Sequence, residues 1–230
     1  MGPDDDTERS ALALRARATI ERLLLEGTAV ARSDGTTHDL FPVATSAAEG
    51  EALRGWVVRE GAARTVEVGL GYGVSALHVC EGLLQGGAPD AGHVAVDPFQ
   101  DTRFSNLGLQ FLEDAGVSWM VEHIAERSEL ALPRLLGEER TFDLAFVDGD
   151  HRFDGVFVDL FYLGRLVLPG GAVFLDDYQL PAVERAASFF VANLGWALEE
   201  VSEWDDLHRW AVLRTSPEPD TRPYDHFVDL

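Results

Sequence analysis

The chain contains no lysine: all 18 basic residues among its 230 positions are arginine. A Walker-type phosphate loop needs a lysine, and so does a pyridoxal Schiff base, so both chemistries are excluded. Any general base must be Asp, Glu, His, Tyr or Cys. Cysteine is almost absent too. Cys80 stands alone, which rules out an intrachain disulfide and a thiolate zinc cluster. Its apolar neighbours on an expected helix mark it as core filler. Positive charge is scarce: 40 Asp and Glu leave a net charge of −22. Phosphate backbones need a basic face, and acidic membrane surfaces repel such a chain, so neither nucleic acid nor a membrane is an expected partner. The surplus reads as solubility. No apolar run approaches the ~20 residues of a membrane span. The opening Met1-Gly2-Pro3-Asp4-Asp5-Asp6 lacks the apolar core of an export signal, so a cytoplasmic location is expected.

What is present is a regular alternation. Residues 7–26 form an amphipathic pattern with Leu12, Ile20, Leu23 and Leu24 as apolar contacts, and residues 32–44 read as a loop. Ser46, with Glu49 at the capping-box position, opens a second helix to about Arg59. From Arg64 onward strand patterns at Thr65–Gly69, His93–Asp97, Trp119–Ile124, Phe142–Asp148 and Ala172–Asp176 alternate with helical ones. These are Val74–Leu84, Thr102–Ala115, Ser128–Leu136 and Phe153–Val167. Such alternation implies βαβ units and a parallel sheet covered on both faces. A helix Pro181–Asn193 follows. Segments Trp196–Val201 and His208–Leu213, joined through Ser202-Glu203-Trp204-Asp205-Asp206, suit a terminal antiparallel hairpin. The expected fold is α/β: Rossmann-like, doubly wound, with a mostly parallel seven-stranded sheet. Residues 1–62 are expected to form an N-terminal helical extension or lid, 63–214 the main domain and 215–230 a tail.

The first chemical motif is Glu67-Val68-Gly69-Leu70-Gly71-Tyr72-Gly73, ending a β-branched run and opening a helix that carries Ser75 in its first turn. Glycines there let a ligand approach bare N–H groups at a helix N-terminus. A dinucleotide fingerprint from Gly69 needs glycine at position 74, and Val74 stands there. The next strand ends on Asp97, where a carboxylate can grip a ribose diol. Glu67 and the acidic surroundings suit a ligand with ammonium and sulfonium charges and no phosphate, which describes S-adenosylmethionine better than NAD.

On these residues the chain resembles the class I S-adenosylmethionine-dependent methyltransferases from about Ser46 to Leu213. Glu67 to Gly73 look like the family's first motif and Asp97 like its second-strand acid. The resemblance implies S-adenosylmethionine as cofactor and puts Arg127 and Ser128, after the third strand, beside the adenine.

The second motif pairs Asp148-Gly149-Asp150-His151 with Asp176-Asp177-Tyr178, each closing a hydrophobic strand. Neighbouring parallel strands present their C-terminal tips on one edge, so four carboxylates and an imidazole are expected to converge. Like charges so close call for a compensating cation with oxygen ligands, for which Mg²⁺ is suited. Helix capping is the plainer use of Asp150 and of Asp177 taken singly. The segments resemble metal-dependent O-methyltransferases, above all the macrolide and aminocoumarin sugar enzymes and more distantly the catechol and caffeoyl-coenzyme A type. That resemblance implies metal binding by Asp148, Asp176 and Asp177, with Asp148 also near the cofactor. Asp150 matches the base of the sugar enzymes. The catechol type uses lysine, which this chain lacks, so His151 is the other candidate base.

The reaction implied is methyl transfer to a hydroxyl of a small molecule, a natural-product sugar or a phenol. Phe99, Gln100, Phe104, Trp119 and Tyr178 are acceptor-site candidates and equally core or loop anchors. The N-terminal helices and the loop at 32–44 suit either a lid or a contact in a homodimer or higher homo-oligomer. Two other readings stand beside this one: an NAD(P)-dependent oxidoreductase, against which Val74 counts, and a non-catalytic S-adenosylmethionine-binding scaffold.

Overall fold

The computed structural model describes residues 6–203 and 208–229. The chain divides into two compact units, one ending at Arg127 and the other beginning at Ser128.

The first unit starts with α1 (Asp6–Glu26), which buries Ala13, Ala16, Ile20 and Leu23 at three- and four-residue intervals. Leu12 and Leu24 are half-buried. The expected loop at 32–44 is instead partly strand. β1 (Thr28–Val30) pairs antiparallel with β2 (Thr37–Asp39). The turn between them contains Asp34-Gly35, with Gly35 at φ +76° and the Thr36 N–H donating to Asp34 Oδ1 at 2.8 Å. An Asp-Gly pair is a strong hairpin signal because both residues tolerate such backbone. α2 (Ala47–Arg59) begins as expected: the Ser46 hydroxyl accepts from the Glu49 N–H at 3.2 Å.

Then come β3 (Arg64–Val68), α3 (Val74–Gly86), β4 (Gly92–Val96), α4 (Leu107–Ala115) and β5 (Val121–Ile124). The three strands lie parallel in the order β5-β4-β3. α3 is buried on every side from Val74 to Leu84 because α1 and α2 pack over it. That explains a helix with little polar face, and it buries Cys80 as expected, whose thiol burial pushes up in pKa. α4 starts later than the expected Thr102, since Ser105 and Asn106 are left-handed at φ +49° and +60°. Trp119 falls in a single 3₁₀ turn before β5, not in the strand.

The second unit comprises α5 (Ser128–Gly137), β6 (Phe142–Val147), α6 (Phe153–Leu166), β7 (Val167–Leu175), α7 (Pro181–Leu194), β8 (Ala197–Val201) and β9 (Ala211–Arg214). β6 and β7 are parallel, with Phe146 opposite Phe174 and Val147 opposite Leu175. β9 runs antiparallel to both β7 and β8, so the terminal hairpin is present. Trp204, Asp205 and Asp206 of its connection lie outside the described residues, as do Met1 to Asp5. Phe142, Phe146, Phe174 and Phe190 are fully buried, and Trp210 stacks on Phe174 with ring centroids 4.8 Å apart. The tail is docked: Asn193 donates to the Val228 carbonyl and accepts from the Val228 N–H, at 3.1 and 2.7 Å. The seven-stranded, mostly parallel sheet expected from the sequence is present.

Candidate functional site

In the first unit, β3 and β4 end side by side, with Val68 opposite Val96, so the glycine turn and Asp97 share one sheet edge. Gly69, Gly71 and Gly73 have φ of +95°, +51° and +72°, a region closed to most side chains. A Cβ on Gly73 would sit 3.0 Å from the Gly108 backbone, whereas one on Gly71 would meet nothing within 4 Å. Only backbone therefore fits at Gly73, and at Gly71 there is open space where a ligand can lie. α3 has Gly73 as its N-cap and no side-chain cap, which leaves first-turn N–H groups without one.

Asp97 holds this turn. Its Oδ2 accepts the Gly71 N–H at 2.8 Å and the Gln100 amide at 3.2 Å, and its Oδ1 accepts the Phe99 N–H at 2.6 Å. Gln100 also donates to the Gly71 carbonyl at 2.7 Å. Gln100, an acceptor-site candidate from the sequence, is thus buried beneath the glycine turn. Glu67 is buried as well: its Oε2 accepts from the Ser75 hydroxyl at 2.8 Å, and its Oε1 lies 3.2 Å from His93 Nε2. His93 Nδ1 is 2.8 Å from the Thr65 hydroxyl. A second support comes from the hairpin. His38 lies 3.3 Å from the Tyr72 hydroxyl and 3.1 Å from the Ser105 hydroxyl, which donates to Asp34 at 2.8 Å. Phe104 packs edge-on against Tyr72, while Phe99 and Trp119 are exposed. Arg127 is exposed at the end of this unit.

In the second unit Ser128 is the first residue of α5. Asp148 follows β6 and Asp176 follows β7, and the Asp176 N–H donates to the Val147 carbonyl at 3.0 Å, which sets the two acids on adjacent strand tips. Asp177 is left-handed at φ +52°, the conformation that turns its side chain back toward the cluster. His151 lies between two carboxylates: Nε2 is 3.2 Å from Asp148 Oδ1 and Nδ1 is 3.2 Å from Asp177 Oδ2. Burial pushes the Asp148 carboxyl up, His151 pulls it down, and the Asp176 and Asp177 charges raise it further. The bond to Asp148 raises His151 to about 9 against the opposing effect of burial, with the three carboxylate charges adding to the rise. Asp150 stands apart from this arrangement. It is half-exposed, accepts from the Arg152 N–H at 3.1 Å and pairs with the Arg152 guanidinium at 3.2 Å. Tyr178 is buried.

His208 was not anticipated as a site residue. Its Nδ1 lies 3.2 Å from Asp177 Oδ1, and donor atoms of Asp176, Asp177 and His208 all fall within 4.8 Å of one another. The sequence gives only a histidine before the last strand. The antiparallel run of β9 along β7 brings it to Asp177. Two carboxylates and an imidazole so close could hold a divalent cation.

Residues 66–178 match a family model described as a methyltransferase domain. Tricin synthase 1 of Oryza sativa subsp. japonica is 37% identical over 112 residues, 46% of this chain and 42% of that protein. Tapetum-specific methyltransferase 1 of Arabidopsis thaliana is 32% identical over 117 residues, 50% of this chain and 47% of that one. The chain thus spans under half the length of these curated relatives. The O-methyltransferase TomG from Streptomyces achromogenes, solved in complex with SAM, superposes with a TM-score of 0.66 at 21% identity, covering 90% of this chain and 89% of that one. At that identity the likeness is one of fold. Residues 66–178 are thus similar in sequence to methyltransferase domains, and the fold is the one TomG shares.

Proposed function

We propose that this chain moves a methyl group from S-adenosylmethionine to a hydroxyl of a small molecule, assisted by a divalent cation. The observation that carries the reading is His151 lying 3.2 Å from both Asp148 and Asp177, beside Asp176. Paired with Asp148 and surrounded by carboxylate charge, the imidazole holds a proton at neutral pH; a cation bound to those carboxylates would offset that charge, lower the imidazole pKa and free the ring to act as a base. The O-methyltransferase TomG and the name tricin synthase support oxygen as the methylated atom.

Residues of the first unit take the donor. Gly69, Gly71 and Gly73 give it backbone to lie on, Asp97 offers a remaining lone pair to a ribose hydroxyl, and Glu67 with Ser75 sets the negative potential beneath it. Arg127 and Ser128 take the adenine. Residues of the second unit take the acceptor. Asp148, Asp176 and Asp177 hold the cation, which by resemblance is Mg²⁺. S-adenosylmethionine when bound supplies the methyl group, and the cation when bound lowers the pKa of the acceptor hydroxyl. His151 takes the hydroxyl proton. Asp150, turned to Arg152, is the weaker candidate for that role. The narrower resemblance points to a natural-product sugar or a phenol as acceptor. We also take residues 1–62 as a helical extension or lid, 63–214 as the methyltransferase domain and 215–230 as a tail.

The test is a methyl-transfer assay with labelled S-adenosylmethionine over a panel of catechols and glycosides, with cation and with chelator. Product that needs cation supports the reading. Tight S-adenosylhomocysteine binding with no product from any acceptor supports the scaffold instead, and product undiminished in chelator removes the cation.

A further inference from the structure

Oxygen ligands alone suit Mg²⁺, but the cluster also contains a nitrogen donor that no part of the sequence pattern announces. His208 Nδ1 is 3.2 Å from Asp177 Oδ1. Two donors held about 2.0–2.2 Å from one ion at tetrahedral or octahedral angles lie about 3.0–3.5 Å apart. The spacing of imidazole and carboxylate is thus already that of two ligands on one ion.

The backbone keeps it there. The Tyr178 N–H donates to the Arg209 carbonyl at 2.6 Å, and the Arg209 N–H donates to the Gln179 side-chain carbonyl at 2.7 Å. Gln179 in turn donates its amide to Asp177 Oδ1. The chain just after each of the two ligands is therefore stitched together, and His208 is carried on the same stitch as Asp177.

We propose that His208 is itself a cation ligand, beside Asp176 and Asp177, and that the site favours a divalent cation that accepts imidazole nitrogen, such as Co²⁺ or Zn²⁺, over Mg²⁺. Imidazole suits the later first-row metals, whereas Mg²⁺ takes oxygen and holds its water. This rests on the reading of the carboxylate cluster as a cation site. It differs in what it assigns: a residue just before the last strand, and a metal preference.

The experiment titrates the chelator-treated full chain with Co²⁺, followed by its visible absorption, and with Mg²⁺, followed by calorimetry. The proteins are the wild type, His208→Asn, His208→Gln and Asp176→Asn. The expected result is a Co²⁺ affinity at least tenfold weaker in both His208 variants, a changed Co²⁺ spectrum, and Mg²⁺ affinity within threefold of wild type. Melting of the cation-free proteins identifies which His208 variant remains folded, and that variant decides. Co²⁺ affinity and spectrum unchanged by loss of His208, while Asp176→Asn abolishes binding, would overturn the ligand role and leave the cation site standing. Cation binding that survives Asp176→Asn, or a wild type that binds neither ion, overturns the cation site and the inference with it.

Discussion

The Gly71 N–H donates to Asp97 Oδ2 at 2.8 Å, so the acid ending one strand fixes the turn that ends its neighbour. Asp97 also accepts from Phe99 and Gln100. Its carboxylate thus holds the glycine turn in place. Hydrogen bonds to a charged acceptor contribute about 1.5–3 kcal/mol each. Asp97→Ala should therefore weaken S-adenosylhomocysteine binding by at least tenfold in calorimetry and also lower the melting temperature. Gln100→Ala, which touches the turn and not the expected ribose position, should weaken binding by a smaller factor. Equal affinity for wild type and Asp97→Ala would show that the turn needs no such anchor.

His151 and Asp150 can be separated kinetically. General-base catalysis contributes about 10²–10⁴ in rate. His151→Ala should lose a factor in that range in kcat with S-adenosylhomocysteine affinity unchanged, and Asp150→Asn should stay within about threefold of wild type on the same scale. The reverse order would make Asp150 the base and leave His151 as a partner of Asp148.

The cation set has its own signature. Asp177→Ala should abolish cation-dependent turnover while S-adenosylhomocysteine still binds, since the donor turn lies in the first unit and Asp177 in the second. Loss of donor binding in that variant would mean a general collapse of the fold, which a melting curve reports.

His78 on α3 is completely buried, and both ring nitrogens lack a hydrogen-bond partner. Burial lowers its pKa to about 4, opposed by Glu51 and reinforced by Arg17 and Arg54. The folded state thus keeps the ring neutral while the unfolded chain protonates near 6.5. Stability is lost as pH falls from about 6.5 to about 4, by about 3 kcal/mol in total, and levels off below. Urea titrations of wild type and His78→Leu across that window should differ in slope. Parallel curves would mean that the imidazole accepts its proton without cost.

The same ring explains Gly50. A Cβ there would lie 2.3 Å from the His78 ring, an impossible contact. Gly50→Ala should destabilise by about 1–3 kcal/mol through overpacking. The double variant with His78→Ala should recover much of that loss, and an additive result would place the strain elsewhere.

Much of the fold was legible because local chemistry and tertiary packing agree. Ser46 and Glu49 announce a cap that forms, and the β-branched runs ending in Gly69, Asp97, Asp148 and Asp176 become the parallel strands. The hairpin was missed although Asp34-Gly35 signals it, because strands of three residues carry almost no periodicity. Ser105 and Asn106 delay α4 through left-handed backbone that composition does not encode. Within the site, the acids were legible as strand-end residues. The places of Gln100, His93 and His208 were not, since each depends on which strand or turn its neighbour joins. Tyr72 is a similar case: its contact with His38 arises from the hairpin folding onto the donor turn.

The most direct test of the central claim, that the glycine turn holds a methyl donor, is parallel calorimetric titration of the full chain with S-adenosylhomocysteine and with NAD. The account predicts saturable one-site binding of S-adenosylhomocysteine, weakened at least tenfold by Asp97→Ala, and no binding of NAD. Saturable binding of NAD with none of S-adenosylhomocysteine would contradict it.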